Sequence, residues 1–415
     1  MSKVLPLLIA ALLMAGFALL IWMPPRPAPP RAYADLGSAP DWTELDAYAG
    51  TMTRAEFEAL LAGPFTLGDR WKEFFEISDA AVRTRTEDGW HELPLAPPGG
   101  ESPPPRYWRP AAAMPPAPAG RPLEGVRIAI DPGHLGGSFA VMEERWYKLG
   151  AREPVTEGDM TLRVAKLLEP RLAALGAEVT LVRDAPGPVT ARSAREFRKY
   201  ARHRLRTGTP AEVRGFAERL FYRTAEIRER ARLVNEEIRP DLVLCLHFNA
   251  EAWGDPRDPE LLDRNHFHVL LNGSYTPGEI ALHDERFEML LKILQGIHAE
   301  EKALGTVVAA ALAEESALPP YVYKAEASAQ PVPGSPYLWT RNLLANRLYR
   351  CPVVFLEPYV MNDRIVFERI QAGDYEGTRP VAGKERKSIY REYADGVAEG
   401  LRAYYAANRT RPAAP

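Results

Sequence analysis

Three short apolar runs frame this 415-residue chain: Val126-Arg-Ile-Ala-Ile130, Leu242-Val-Leu-Cys-Leu246 after Asp241, and Val353-Val-Phe-Leu356 after Pro352. Runs this short and this continuously apolar predict strands covered on both faces. Between the first two the period changes. Leu162, Ala165, Leu168, Leu172 and Leu175 share one face of a helix predicted over Met160–Leu175, with Gly176 placed to cap it and Pro170 expected to kink or interrupt it. Glu178–Val182 then reads as a strand, Arg228–Ile238 as a helix, and Ser388–Tyr405 as a final helix burying Ile389, Tyr393, Val397 and Leu401. This alternation predicts an α/β fold with a mainly parallel central sheet flanked by helices.

The same patterning divides the rest of the chain. Val4 to Met23 is almost uninterrupted apolar sequence behind Lys3, long enough to cross a bilayer core. No small-x-small site follows it directly, so an uncleaved signal anchor is favoured over a cleaved signal peptide. With the stiff spacer Pro24–Pro30 it makes up an N-terminal segment 1–34, and either form implies export. Residues 35–110 read as a small α+β module without a recognisable chemical constellation. Thr53-Arg-Ala-Glu56 has capping-box spacing before an amphipathic helix, and short strands are expected at Phe74–Ile77 and Ala81–Val82. A Pro-, Gly- and Ala-rich linker at 111–123 leads into the main domain, 124–406, and 407–415 is a tail.

Two insertions lengthen the main domain, near 192–227 and 251–345. The first is arginine-rich and predicts two helices divided near Gly208, the second opening with Thr209-Pro210-Ala-Glu212. Its plain reading is a solvated hairpin; its functional reading is a cationic wall for anionic polymers. The second predicts helices near His283–Leu294 and Glu300–Ser316. It also holds His268 in strand-like sequence, where it can face the metal cleft, although a place behind the site or at the surface is the plainer expectation.

Composition changes the picture only modestly. With 46% hydrophobic and 26% charged residues the chain can support more than one globular unit. A net charge of −3 argues against a generic nucleic-acid binder. Cys245 and Cys351 do not make a disulfide scaffold; a bridge between them is geometrically open, although buried free cysteine is common.

Each apolar run ends in a residue able to bind a metal or move a proton. Asp131-Pro-Gly is expected to break the first strand and deliver His134 just past its carboxyl end, where open α/β sheets build their sites. The second run ends in His247-Phe-Asn249 and the third in Glu357-Pro358. Glu157 stands immediately before the helix expected to begin near Asp159. A catalytic zinc site takes about three nitrogen or oxygen ligands from the protein and keeps one position open. Two histidines and a carboxylate meet that count and leave one carboxylate as general base.

The series Asp131-Pro-Gly-His134, Glu157-Gly-Asp-Met-Thr-Leu162, Leu181-Val-Arg-Asp184, Leu246-His-Phe-Asn-Ala250 and Phe355-Leu-Glu357 resembles that of zinc-dependent N-acetylmuramoyl-L-alanine amidases, cell-wall enzymes with a single-zinc α/β domain. The resemblance spans roughly residues 124–406. It implies one zinc ion held by His134, Glu157 and His247, with Glu357 as the catalytic carboxylate. It also implies hydrolysis of the amide between N-acetylmuramic acid and L-alanine of the stem peptide. Asn249 is expected to orient either His247 or the substrate. Two departures bear on substrate detail: Glu357-Pro358-Tyr359 where the family usually has Gly-Phe after the Glu, and Cys245-Leu246-His247 where Ser-Ile-His is common.

The implied partners are peptidoglycan, the membrane through the N-terminal segment, and a regulatory protein if the insertions gate the site. Nucleic acid is not among them. The implied location is the periplasmic side of the cell envelope, anchored in the inner membrane, or outside it if the segment is cleaved. Two rival readings stay open: another zinc-dependent peptidoglycan peptidase, such as a carboxypeptidase, and a non-catalytic wall-binding protein.

Overall fold

Leu242–Leu246 is buried at every position, a demand met only by a strand inside a covered sheet. It is the third of seven strands in the central sheet of the computed structural model, which describes residues 32–324 and 328–409. In chain order these are β1 Arg127–Pro132, β2 Glu178–Leu181, β3 Leu242–Leu246, β4 His268–Leu271, β5 Gln330–Pro331, β6 Leu338–Thr340 and β7 Val353–Glu357. Across the sheet the order is β5-β6-β4-β7-β3-β1-β2. β2, β1, β3 and β7 pair in parallel. β4 runs antiparallel to β7 but parallel to β6, and β5 closes the edge antiparallel to β6.

The sheet is therefore mixed: four of its six pairings are parallel, as expected, and two are antiparallel. No helix separates β3 from β4, so nothing carries the chain back for a parallel return. The second insertion thus adds three strands beyond β7 instead of lying outside the sheet.

Alternate strand residues serve opposite faces. Ile128, Ile130, Leu244, Val354 and Leu356 pack with helices α1 Glu157–Ala174, α3 Ile297–Ser316 and α4 Ile389–Asn408, through Leu168, Val308, Leu312 and Val397. Ala129, Val243, Cys245, Val353 and Phe355 pack on the other face with Val234, Leu348 and Tyr349. Truncating a fully buried residue such as Leu168 to Ala costs roughly 2–5 kcal/mol.

Local expectations shift at three places. α1 opens at Glu157 itself, two residues earlier than expected, and runs unbroken through Pro170. Pro170 is exposed, so the carbonyl its missing N–H leaves unbonded, that of Lys166, is on the solvent side. β1 continues through Asp131 and Pro132, which pair with Cys245 and Leu246, so the break comes at Gly133.

The module at 35–110 has the expected capping box at Thr53 and Glu56 and a three-stranded antiparallel sheet. Phe57, Leu61, Phe65, Phe75 and Val82 form one apolar cluster with Tyr275, and with Phe287 and Leu290 of helix α2, His283–Leu294. Backbone bonds from Ser274 and Tyr275 to the Pro64 and Phe65 carbonyls join the two stretches. The described residues from Tyr33 onward form one compact unit.

The first insertion forms the expected helical pair, Arg198–Leu205 and Pro210–Arg219, with a capping box at Thr209 and Glu212. Both cysteines are buried and free. The apolar segment Val4–Met23 lies outside the described residues, among which no helix is long and apolar enough to cross a membrane.

Candidate metal centre

The carboxyl ends of β1, β3 and β7 lie side by side, so the residues at their ends open onto one space. His134 takes a positive φ of 62°, a conformation that is costly away from glycine. A buried network over-determines it. Arg230 donates to the His134 carbonyl at 3.0 Å, to the Pro132 carbonyl at 2.8 Å and to Asp131 at 2.8 Å, and is itself paired with Glu226 at 2.8 Å. The Tyr349 hydroxyl donates to the other Asp131 oxygen. Gly133 lets the next strand's histidine in close: a Cβ there would stand 2.3 Å from Cε1 of His247. Gly158 similarly lets the start of α1 touch the Gly136 backbone, since its Cβ would lie 2.2 Å from the Gly136 nitrogen.

These contacts bring together three of the four residues singled out by sequence as ligands or base. Nε2 of His134 is 3.1 Å from Oε2 of Glu157, and Nδ1 of His247 is 3.1 Å from Oε1. The three potential ligand atoms lie within 4.8 Å of one another, the one such group of His, Cys, Asp or Glu side chains among the described residues. The Phe248 backbone N–H donates to Oε1 at 3.2 Å, while Oε2, although buried, takes part in no hydrogen bond. His247 is backed by Phe355, stacked 4.4 Å away. The two histidine rings meet edge to face at 5.0 Å.

Glu357, the fourth residue, lines the same cavity of about 270 Å³ as His134, Glu157 and Asn249. Sequence reasoning missed much of the remaining wall. Arg145, Tyr321, Tyr323 and Arg341 line it, and so does His268, which pairs in register with Glu357 across β4 and β7. His268 is therefore in the site rather than behind it; only strand register could reveal that. Glu143 was one of several nearby acids in the sequence. It holds His134 from the other side, with Oε1 3.5 Å from Nδ1, and accepts from the Leu135 N–H at 2.8 Å. The Asn249 side chain turns to His266 and His268 at 3.4 and 3.5 Å.

The electrostatics are those of a tightly packed acid–imidazole cluster. Burial disfavours charge on His134, yet Glu157 and Glu143 raise its pKa to about 9. Burial also works against ionised Glu157, but His134, the His247 bond and Arg145 outweigh it and hold that carboxyl well below the usual range. Glu357 is pushed up to about 8, by burial first and then by the Glu157 charge. Burial lowers His247 despite its bond to Glu157. These groups can hold a cation between two nitrogens and a carboxylate oxygen, with a second carboxyl poised to exchange protons near neutral pH.

Comparison with known proteins gives this arrangement a context. Residues 128–257 match the sequence profile of a family described as N-acetylmuramoyl-L-alanine amidase. The matched stretch includes His134, Glu157 and His247 and ends before Glu357. No curated protein matches the chain. Among solved structures it is similar to the N-acetylmuramyl-L-alanine amidase Ami1 of Mycobacterium smegmatis, at 16% identity over 68% of this chain and 98% of that one, with a TM-score of 0.36. It is also similar to the amidase AmiC2 of Nostoc punctiforme, at 16% identity over 68% and 98%, with a TM-score of 0.36. A third is the CwlD amidase of Clostridioides difficile, solved with the GerS lipoprotein, at 12% identity over 67% and 96%, with a TM-score of 0.38.

Proposed function

We propose that this chain is a zinc-dependent peptidoglycan hydrolase whose catalytic part, residues 124–406, cleaves the amide between N-acetylmuramic acid and L-alanine. In this reading His134, Glu157 and His247 hold one zinc ion and Glu357 moves the protons. The observation that carries it is the Glu157 oxygen Oε2, buried without a hydrogen bond and facing an imidazole nitrogen at 3.1 Å. A buried carboxylate oxygen that forms no hydrogen bond is costly unless positive charge lies beside it. A cation among these three side chains would satisfy it, and two nitrogens with one oxygen suit zinc.

When bound, zinc supplies Lewis acidity toward the scissile carbonyl and makes hydroxide available at neutral pH. The side chains do the rest. Glu143 faces Nδ1 of His134, so the N–H sits there and Nε2 keeps its lone pair for a metal. Glu357 takes a proton from the attacking water as the water oxygen bonds to the lactyl carbonyl carbon. As the C–N bond breaks, that proton passes to the departing L-alanyl nitrogen. Burial and the neighbouring Glu157 charge raise the affinity of this carboxyl for that proton. A wider groove of about 600 Å³, lined by Trp146, Trp253 and Arg257, shares Arg145 and Ala250 with the pocket and offers the polymer a way in. The proposal includes an extracytoplasmic location, attachment through Val4–Met23, and control by a second protein.

The test is product analysis on purified sacculi with matched zinc content. New muramoyl lactyl ends and L-alanyl amino termini, lost on chelation and restored by zinc, are the expected result. Glu357→Gln should keep its metal and lose about 10²–10⁴-fold in kcat. Released D-alanine would favour a carboxypeptidase, and binding without cleavage a wall-binding protein.

A further inference from the structure

The wall opposite the proposed ligands is built from hydrogen bonds whose direction can be worked out one at a time. The starting point is His266, whose Nε2 lies 3.3 Å from Oε1 of Glu251. A carboxylate only accepts, so the His266 proton is on Nε2 and its Nδ1 is a bare lone pair. That lone pair faces the Asn249 side-chain nitrogen at 3.4 Å, which must donate, and the Asn249 oxygen is engaged by the Ala250 N–H at 2.7 Å. The amide orientation is thus set from both ends.

The same Asn249 nitrogen faces Nδ1 of His268 at 3.5 Å. This nitrogen is therefore also a lone pair, and the proton of a neutral His268 sits on Nε2. Burial, with repulsion from His266 and Arg341, lowers the His268 pKa to about 3, so the ring is neutral at any working pH. Nε2 lies 3.0 Å from the Tyr323 hydroxyl oxygen. His268 must donate and Tyr323 accept. Among the described residues no carboxylate or carbonyl takes the proton of Tyr323, whose hydroxyl stands in the field of Glu357 and lines the same pocket. The phenol stays protonated, its pKa raised to about 12 by burial. Tyr321 lies against both imidazoles, its ring centre 4.6 Å from His266 and 5.0 Å from His268, and holds the chain in place.

We propose that Tyr323 is a catalytic hydrogen-bond donor to the carbonyl oxygen of the scissile amide, and that His268 is the positioning residue that turns its O–H into the pocket. As water adds to the carbonyl carbon, negative charge grows on that oxygen. The Tyr323 hydroxyl meets it with a neutral donor and keeps its own proton throughout, so the proton traffic through Glu357 is unchanged. Removing one such donor typically costs about 10²–10³-fold in rate. This assignment rests on the amidase reading, but the tautomer chain behind it does not.

The experiment has two parts. Long-range ¹H–¹⁵N spectra of the full chain, in detergent and labelled at histidine, read the His268 tautomer without any catalysis; His268→Gln identifies its signals among the eight histidines. The expected form is neutral with the proton on Nε2, with or without zinc. Kinetics on muramoyl-peptide substrate then compare variants at equal zinc content. Tyr323→Phe should lose about 100-fold in kcat with KM within about threefold. His268→Leu should lose at least about tenfold, while His268→Gln, which keeps a donor toward Tyr323, should stay within about threefold of wild type. A proton on Nδ1 of His268, or a Tyr323→Phe enzyme as fast as wild type, overturns the assignment. A wild-type protein that forms no lactyl and L-alanyl ends overturns the amidase reading itself, and with it the catalytic role of Tyr323.

Discussion

Gly133→Ala probes how tightly the centre is assembled. The new methyl would stand 2.3, 2.5 and 2.6 Å from Cε1, Nε2 and Nδ1 of His247, well inside the 3.4 Å of ordinary contact. Taking 3.4 minus 2.3, the ring must withdraw by about 1 Å. Its stacking on Phe355 at 4.4 Å and its 3.1 Å bond to Glu157 leave little freedom for that movement. In the metal-free protein, overpacking of this kind costs about 1–3 kcal/mol. For the metal the effect is larger in kind, because ligand distances tolerate only about 0.2 Å. Displacing one of three ligands by five times that should cost at least about 100-fold in zinc affinity, or roughly 2.7 kcal/mol.

Competition with a chromophoric chelator measures this loss directly, with denaturant melts of the metal-free variant reporting the packing cost. Gly278→Ala is the control, since its Cβ would meet nothing within 4 Å. Gly133→Ala protein that binds one zinc with wild-type affinity would refute the reasoning, either by removing His247 from the ligand set or by showing that the ring moves freely.

Other outcomes follow from the same geometry. With no metal, His134 holds its proton up to about pH 9, so zinc uptake must displace it. Apparent affinity should rise about tenfold per pH unit from 6.5 toward 9 and then level, with proton release visible as buffer-dependent heat; a pH-independent affinity would contradict this. His134 and Glu357 both have raised folded pKa values, so each stabilises the metal-free fold fully below its unfolded value. The Glu357 contribution is lost between about pH 4.5 and 8 and that of His134 between about 6.5 and 9, so the metal-free Tm should fall over pH 4.5–9 while the zinc-loaded Tm changes less. Arg230→Met leaves Asp131 and Glu226 buried without their cation and should cost about 3–5 kcal/mol in urea unfolding. A loss under about 1 kcal/mol would mean the network does not hold the His134 turn.

Much of the site was legible because its ingredients are local. A strand ended by a turn former, or a helix begun after one, puts its terminal residue at a layer edge whatever the rest of the chain does. His134, His247 and Glu357 could therefore be picked from the residues that follow apolar runs. Glu157 stands out only through the short motif Glu157-Gly-Asp-Met-Thr-Leu162, and it is the first residue of α1. Glu143 could not be separated from Glu144 and Glu153 by sequence. What distinguishes it is its 3.5 Å approach to His134 and its bond to the Leu135 N–H. His268 could be placed in a strand but not assigned to the site for a related reason: its value lies in pairing with Glu357, and strand register is set by contacts between segments almost ninety residues apart.

Apolar periodicity and turn chemistry alone determined the α/β class, the helices, and the residues that end the buried strands, since each depends on neighbours within a few positions. Tertiary structure alone decided that the insertion becomes β4 to β6 and turns a parallel sheet into a mixed one. It also decided that Arg230 sits beneath the His134 turn, and that His268 and Tyr323 wall the pocket. Those outcomes depend on which surfaces are left to cover once the sheet has formed, and no local stretch of sequence carries that information.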